Sequence, residues 1–485
     1  MSEDILKRIV DLRRSDMKRL GPTFGVEIPP SRTRGHVEFL GRAGAILEVK
    51  RASPSKGDIS PNLVPGELAK VYAAAGAQAI SVLTERNFFK GSLEDLMEVA
   101  AAAPTCAVLR KDFLLEEEEL EIAYRAGADA VLLIARILDD KKLLSMAAFA
   151  RELGMEPLIE VRTHDDLRKL ALAAKEGKVV SGVNTRDLAT FKIDPLVPAA
   201  LRSKLPGKAI FESGVKNEAD AAFARSLGFD GILVGEAVAR NPKLAASLVA
   251  AFESAAETAR GKFWRQFAEL KSRKRGPVVK MCGFTRTEDA LAAQKLGADM
   301  LGFVFARSKR LTTADFVRSL RALPEFSGSS PLFVGVITDP ASEEGKTALA
   351  LAEEGSLDAV QFHGIKVPSF TEPLPYACFS AVRVGSKEDG NLCEELWHQG
   401  EPRVLLDAKV EGLAGGTGTR IPPSVLREVA AGKPLWLAGG VSPENIGQIM
   451  REFAPEFVDV SSGIESSPGV KSVEKMQEFF KGTSL

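Results

Sequence analysis

Sixteen short apolar runs, each followed by an amphipathic, alanine-rich stretch, repeat along the 485 residues of this chain. In the first half they cover 45–49, 79–83, 107–109, 130–134, 156–159, 179–183, 209–211 and 231–234. In the second they cover 278–281, 300–303, 332–336, 359–362, 379–382, 403–406, 435–437 and 458–460. Runs this short are buried strands. The segments between them, such as Pro65–Ala75 and Glu288–Leu296, carry helical spacing and stop at Gly-Ala before the next run. Strict alternation of strand and helix builds parallel sheet. Eight units in each half fit a closed barrel better than one open doubly wound sheet. The predicted fold is therefore α/β, with two tandem (β/α)8 TIM barrels, which also suits a chain too long for one core.

The same reading sets the domain limits. Residues 1–255 form the first barrel, with 1–44 as a helical extension. Its helical patterns (Asp4–Lys18 and a shorter piece near Val37–Leu40) are placed to cap the barrel mouth. Residues 256–276 read as a helical linker ending in the basic run Lys271-Ser272-Arg273-Lys274-Arg275-Gly276, a solvated stretch rather than an anion site. Residues 277–485 form the second barrel.

Charge and composition narrow the function. With 64 Lys+Arg against 65 Asp+Glu, nothing favours nucleic acid or a polybasic membrane contact. The acidic start Met1-Ser2-Glu3-Asp4 has no signal-peptide core, and no apolar stretch is long enough to span a bilayer. Cys106, Cys282, Cys378 and Cys393 are scattered without metal-ligand spacing, and there are four histidines, so no metal site is expected. A reducing cytoplasm is the expected compartment. A monomer is compatible with this reading, and the sequence does not set the oligomeric state.

Polar residues gather where the strands end. Glu48 and Lys50, two residues apart on a strand, share one face. Lys111, Glu160, Asn184, Arg186 and Glu212 stand at the ends of later runs. Any one of them alone is an ordinary ion-paired rim residue. Together they form a ring of acids, amines and an amide at one barrel mouth. Two cations so close lower each other's pKa, which suits a lysine for proton donation near neutrality. In the second half Cys282 and Asp407 end two strands; a small buried cysteine is the plain alternative, and a thiolate opposite a carboxylic acid is the chemical one. Glycine-bearing turns follow the seventh and eighth runs of both halves: Gly214, Gly235 and Glu236 in the first, Gly439, Gly440, Ser462 and Gly463 in the second. Backbone N–H groups at that position hold phosphate in barrels, so both halves should take phosphorylated small molecules.

The first half resembles indole-3-glycerol-phosphate synthase through Glu48-Val49-Lys50-Arg51-Ala52-Ser53-Pro54-Ser55-Lys56-Gly57, Leu83-Thr84-Glu85, Leu109-Arg110-Lys111-Asp112-Phe113, Ile159-Glu160-Val161, Gly182-Val183-Asn184-Thr185-Arg186 and Glu212-Ser213-Gly214. The resemblance implies ring closure and decarboxylation of 1-(2-carboxyphenylamino)-1-deoxyribulose 5-phosphate. It makes Lys111 the general acid at the substrate ketone and Glu160 the group handling proton removal and dehydration. Lys50, paired with Glu48, would neutralise the departing carboxylate and take part in loss of water. Ser53, Asn184, Arg186, Glu212 and Ser213 would position the substrate. Phe89 and Phe113 offer a wall for its aromatic ring, or are simple packing.

The second half resembles phosphoribosylanthranilate isomerase through Lys280-Met281-Cys282-Gly283-Phe284-Thr285, Gly302-Phe303-Val304-Phe305, Ser308-Lys309-Arg310, Gln361-Phe362-His363-Gly364, Leu405-Leu406-Asp407-Ala408, Gly415-Gly416-Thr417-Gly418, Leu437-Ala438-Gly439-Gly440-Val441 and Asp459-Val460-Ser461-Ser462-Gly463-Ile464-Glu465. The resemblance implies an Amadori rearrangement with Cys282 as base at the ribose C2 and Asp407 as acid at the ring oxygen. Arg310 would meet the anthranilate end, His363 would bind substrate, and Gly439, Gly440, Ser462 and Gly463 the phosphate. Two departures stand out. Lys309 replaces a proline common before the arginine, and Thr419-Arg420-Ile421-Pro422 replaces the usual Phe-Asp-Trp, which leaves the shape of that loop open.

The second half's product is the first half's substrate, which accounts for their fusion. Neither mechanism implies a cofactor or metal. Two rivals remain: a pair of barrel aldolases forming a Schiff base at Lys50 or Lys111, and a phosphosugar-binding regulator in which one barrel has lost its chemistry. Complete acid–base sets in both halves weigh against the regulator.

Overall fold

The computed structural model describes residues 5–187, 190–328, 331–409 and 420–483. The chain divides into two compact units, one reaching Glu257 and the other starting at Thr258. Each contains a closed barrel of eight parallel strands. The first barrel is built from β1 (Gly44–Val49), β2 (Ala79–Leu83), β3 (Ala107–Lys111), β4 (Ala130–Ile134), β5 (Glu156–Val161), β6 (Val180–Asn184), β7 (Ala209–Glu212) and β8 (Gly231–Val234). β1 closes it by pairing with both β8 (Gly44↔Gly231) and β2 (Ile46↔Ala79). The second contains β9 (Val278–Cys282), β10 (Met300–Val304), β11 (Leu332–Ile337), β12 (Ala359–His363), β13 (Cys378–Val384), β14 (Leu405–Ala408), β15 (Trp436–Leu437) and β16 (Phe457–Val460). It closes where β9 pairs with β16 (Val278↔Phe457) and β10 (Lys280↔Met300). Strands covered on both faces need no polar alternation, which is why the sequence shows them as continuous apolar runs. β4, Ala-Val-Leu-Leu-Ile, is buried throughout.

Several strands run one or two residues past the apolar runs. Lys111, Asn184, Glu212, Cys282 and His363 are each the last residue of a strand. They keep their ladder partners (Leu83↔Lys111, Asn184↔Glu212) while their side chains enter the barrel mouth. Chemistry-bearing side chains thus stand on the rigid sheet rather than on loops.

The N-terminal helix, Ile5–Leu20, buries Leu6, Ile9 and Val10. Arg13 on it is buried against the end of β3, its Nη1 2.6 Å from Asp112 Oδ1 with a second ion pair to Glu119. The piece near Val37–Leu40 differs from expectation. It is not helical and does not cap the mouth. Phe39 and Leu40 are fully buried, Val37 N donates to Asp129 Oδ1 at 3.0 Å just before β4, and Lys208 Nζ donates to Leu40 O at 2.6 Å just before β7. Both anchors lie at the amino ends of the strands, so this apolar pair plugs the floor of the barrel.

The stretch read as a linker also differs. A helix, Ala259–Ser272, follows a break after Leu244–Ser254 and belongs to the second unit. Its buried Phe263 stacks on Phe379 with centroids 5.6 Å apart, and Phe267 lies 4.6 Å from Trp436. Trp264, also buried, is 5.6 Å from Trp436, which stacks on Phe457 at 4.4 Å. These rings come from the amino ends of β13, β15 and β16, so the helix floors the second barrel as Phe39 and Leu40 floor the first. Its helical periodicity was legible; its aromatic stripe marks it as core rather than tether. No helix among the described residues is long and apolar enough to cross a membrane.

Candidate active sites

At the mouth of the first barrel Glu48 bridges two lysines: Oε1 lies 3.3 Å from Lys50 Nζ and Oε2 3.3 Å from Lys111 Nζ. Lys111 also reaches Glu212 Oε2 at 3.4 Å. Asn184 Nδ2 donates to Glu160 Oε2 at 3.3 Å and Asn184 Oδ1 accepts from the Arg186 backbone N–H at 2.9 Å, while Arg186 Nη1 reaches Ser55 Oγ at 3.2 Å. Glu48, Lys50, Ser53, Phe89, Lys111, Phe113, Glu160, Asn184, Arg186 and Ser213 line one cavity of about 90 Å³. Its opposite wall is Ile5, Leu6 and Ile9 of the N-terminal helix, which sequence reasoning placed near the mouth but did not count as site residues. Phe89 and Phe113 stand with rings 6.2 Å apart, and Lys50 Nζ sits 5.5 Å over Phe89.

The electrostatics separate the two lysines. Burial, with Lys111 and Arg186 adding repulsion, pulls Lys50 below its ordinary value despite Glu48. Burial alone would do the same to Lys111, but Glu48, Glu212 and Glu160 outweigh it and hold Lys111 above its ordinary value. The expectation of two mutually depressed lysines therefore holds for Lys50 and fails for Lys111, because three carboxylates face the latter. Glu48 stays low, burial being overcome by Lys111 and Lys50. Burial pushes Glu160 up and Glu212 up to about 8, so this part of the site retains a proton near neutrality.

Ser213 takes φ +68°, a left-handed conformation that a serine holds only under constraint from its surroundings. Gly214, Gly235 and Glu236 do not line the cavity. Glu236 pairs with Arg240 at 3.2 Å on its own helical turn. Gly235 has a different physical reason: a Cβ there would collide with Glu48 Oε1, so the bare backbone is what lets the carboxylate lie between the lysines.

In the second barrel Cys282, Arg310, His363, Asp407, Gly439, Gly440 and Ser462 line a single cavity of about 490 Å³, a normal size for a small-molecule site. Gly463 lies outside that lining, packed under the Val441 carbonyl and Ser442. His363 Nε2 is 3.4 Å from Asp407 Oδ2. Burial and Lys280 push the imidazole down to about 4, so it is neutral. Burial and Asp459 push the Asp407 carboxyl up to about 6. Gly439, with φ +81°, packs so closely that a Cβ would sit 2.5 Å from Asp407 Oδ1 and 2.6 Å from Ala408 N. The loop Gly415-Gly416-Thr417-Gly418 and Thr419 lie outside the described residues.

Three groups here escaped the sequence reading. Lys280 is fully buried and donates to Gln361 Oε1 at 2.9 Å and Asp459 Oδ2 at 2.6 Å. Asp459 lines the cavity with its other oxygen unpartnered. Burial pushes the Cys282 thiol up, Lys280 and Lys471 pull it down, and Asp459 opposes them. The signal was available. Lys280 stands two residues before Cys282, and Gln361 two before His363, the same-face spacing that picked out Glu48 and Lys50. Among the described residues no group of three or more His, Cys, Asp or Glu side chains is arranged to hold a metal ion.

The chain matches the model of the indole-3-glycerol phosphate synthase family over residues 35–250 and that of the N-(5'phosphoribosyl)anthranilate (PRA) isomerase family over residues 279–482. It is 33% identical over 475 residues to tryptophan biosynthesis protein TRP1 of Phytophthora nicotianae, covering 86% of this chain and 87% of that protein. With tryptophan biosynthesis protein TrpCF of Yersinia pestis the identity is 34% over 445 residues, covering 90% and 84%. The multifunctional tryptophan biosynthesis protein of Phycomyces blakesleeanus is longer: 33% identity over 496 residues covers 90% of this chain and 62% of that protein. Two barrels matching two families in this order, with the Phytophthora and Yersinia proteins covered over more than four-fifths of their length, place the chain in the family of fused indole-3-glycerol phosphate synthase–phosphoribosylanthranilate isomerase proteins of tryptophan biosynthesis.

Proposed function

We propose that this protein catalyses two consecutive reactions. The second barrel isomerises N-(5-phosphoribosyl)anthranilate to 1-(2-carboxyphenylamino)-1-deoxyribulose 5-phosphate. The first barrel closes that product, with loss of CO2 and water, to indole-3-glycerol phosphate. The observation that carries the reading is the pairing of an acid–base set with its own cavity in each barrel: Glu48, Lys50, Lys111 and Glu160 in one, Cys282 and Asp407 in the other.

In the isomerase, Asp407 gives its proton to the furanose ring oxygen, and the C1–O bond breaks as the anilino nitrogen supplies electrons to form an iminium. The C2 proton, acidified by that cation, passes to the Cys282 thiolate, and the resulting enolamine becomes the aminoketose. A carboxyl raised to about 6 suits the donor, because catalytic acids work best near ambient pH. Lys280 and Lys471 are the cations that favour the thiolate.

In the synthase, Lys111 remains charged and stabilises the ketone oxygen while the aromatic carbon attacks. Lys50, the more easily deprotonated amine, lies beside the carboxylate that leaves as CO2 and serves as the acid in loss of water, with Glu48 holding it in place. Loss of CO2 restores the aromatic ring, and Glu160 takes the proton that leaves in the dehydration completing the indole. Glu212, protonated, and Asn184 hydrogen-bond the substrate's hydroxyl groups, and the turn that carries Ser213 into the cavity holds its phosphate.

Cys282→Ala and Lys111→Ala test the assignment together. The first should lose isomerisation by at least about a hundredfold, the scale of a general base, with ring closure retained; the second should do the reverse. Loss of both activities in either variant, or normal synthase turnover without Lys111, would overturn the proposal.

A further inference from the structure

Arg310 is held by a neighbour with no assigned role. Its Nε and Nη2 each donate to a different oxygen of Glu465, both at 2.8 Å. A guanidinium gripped from that side keeps both Nη1 hydrogens and one Nη2 hydrogen free on its far edge. That edge is itself a fork suited to a second carboxylate. Arg310 lines the isomerase cavity, so the free edge belongs to the side that a ligand enters.

Glu465 also reaches the base. Oε1 accepts from Lys471 Nζ at 2.9 Å, and the same ammonium donates to the Cys282 carbonyl at 2.6 Å and the Ser461 carbonyl at 3.3 Å. Lys471 is fully buried, and Glu465 is 5% exposed at its side chain. The two sit on facing strands of a small hairpin, Glu465 opposite Lys471, directly after the Ser462–Gly463 turn. One carboxylate between two cations leaves the group one net positive charge, which favours an anionic ligand.

We propose that Glu465 is a positioning residue for the isomerase: it aims the outer fork of Arg310 at the ortho-carboxylate of the anthranilate moiety and fixes the Lys471 ammonium on the strand end that carries Cys282. The proposal rests on the isomerase reading. Recognition is then specific to the carboxylate rather than to the aromatic ring or the phosphate. A loosened arginine still offers charge but no longer a pre-set bidentate geometry.

The test uses the full chain and two inhibitors of the isomerisation: the reduced aminoketose phosphate, and its phenyl counterpart lacking the ortho-carboxylate. Glu465→Gln should weaken the carboxylated inhibitor at least about tenfold, the worth of one charge-assisted hydrogen bond. The phenyl compound should bind within about twofold of wild type, on the same scale. The substrate KM should rise more than kcat falls, and Arg310→Lys should show the same selective loss. Equal weakening of both inhibitors, or no weakening of either, would overturn the inference while wild-type turnover stands. If Glu465→Gln does not fold, Arg310→Lys decides on the same criterion, with ring closure by the first barrel reporting intact protein. Absence of wild-type isomerisation would instead overturn the reading beneath it.

Discussion

Glu48→Gln isolates what the two lysines owe to their shared carboxylate. The change takes from Lys50 its ion-pair partner, Glu48 Oε1. At the 3.3 Å separation in the structure, a unit charge pair in an effective dielectric of ~20 interacts by about 5 kcal/mol. Water and relaxation recover part of this, so the loss lies near the ~3–5 kcal/mol seen when a buried pair is broken. If Lys50 must be a positioned cation in the transition state, synthase kcat should fall about a hundredfold or more. The pH profile adds a sign. Burial, Lys111 and Arg186 already hold Lys50 down and Glu48 alone among these neighbours opposes them. Removing Glu48 makes the ammonium easier to deprotonate, so the alkaline limb of ring closure moves to lower pH. The assay is steady-state formation of the indole product from purified aminoketose phosphate across pH, with isomerisation by the same preparation as control. A kcat within twofold of wild type, or an alkaline limb that stays put or moves upward, would refute the reasoning.

Isomerisation should show an acid limb near pH 6 set by Asp407, because the active form pairs a protonated Asp407, with its value about 6, and a deprotonated Cys282, whose value lies above the ordinary thiol. With the acid's pKa below the base's, the active fraction rises until Asp407 titrates, then stays level until Cys282 does. Asp459 raises both groups, so Asp459→Asn should move both limbs of kcat/KM to lower pH; unmoved limbs would remove Asp459 from the electrostatics of the site. Gly235→Ala should damage ring closure and leave isomerisation alone, since the new methyl must displace Glu48. Gly439→Ala should do the opposite through Asp407, and equal damage to both reactions in either variant would mean a general folding defect.

The two barrels were legible because each strand is covered on both faces and therefore spelled as an apolar run, and because helices such as Pro65–Ala74 and Thr287–Lys295 stop at a glycine turn before the next run. Strand ends were read short at Lys111, Asn184, Glu212, Cys282 and His363, since a polar residue ends an apolar pattern before it ends a hydrogen-bonded ladder. The candidate site residues stood out by type at those ends. The burial that separates Lys50 from Lys111 did not, because three carboxylates converge from β1, β5 and β7 only once the barrel has closed. The apolar wall contributed by Ile5, Leu6 and Ile9 was likewise hidden, as an amphipathic helix does not announce what its buried stripe will cover. Gly235 and Gly439 were chosen for phosphate; the structure adds a steric duty toward Glu48 and Asp407 that no spacing rule encodes.

The aromatic stripe of Ala259–Ser272 bears on how this chain could be cut in two. Phe263, Trp264 and Phe267 are almost wholly withdrawn from water, and each such ring contributes ~1.5–3 kcal/mol when buried, against a net stability of only ~5–15 kcal/mol for a whole domain. A scission at the basic run 271–276 would strip the isomerase half of its basal lid and leave Trp436, Phe379 and Phe457 wet. The harmless seam is the four-residue gap Ala255–Thr258 between neighbouring helices. A separation of the two halves of this chain has its natural joint there, upstream of the basic run 271–276.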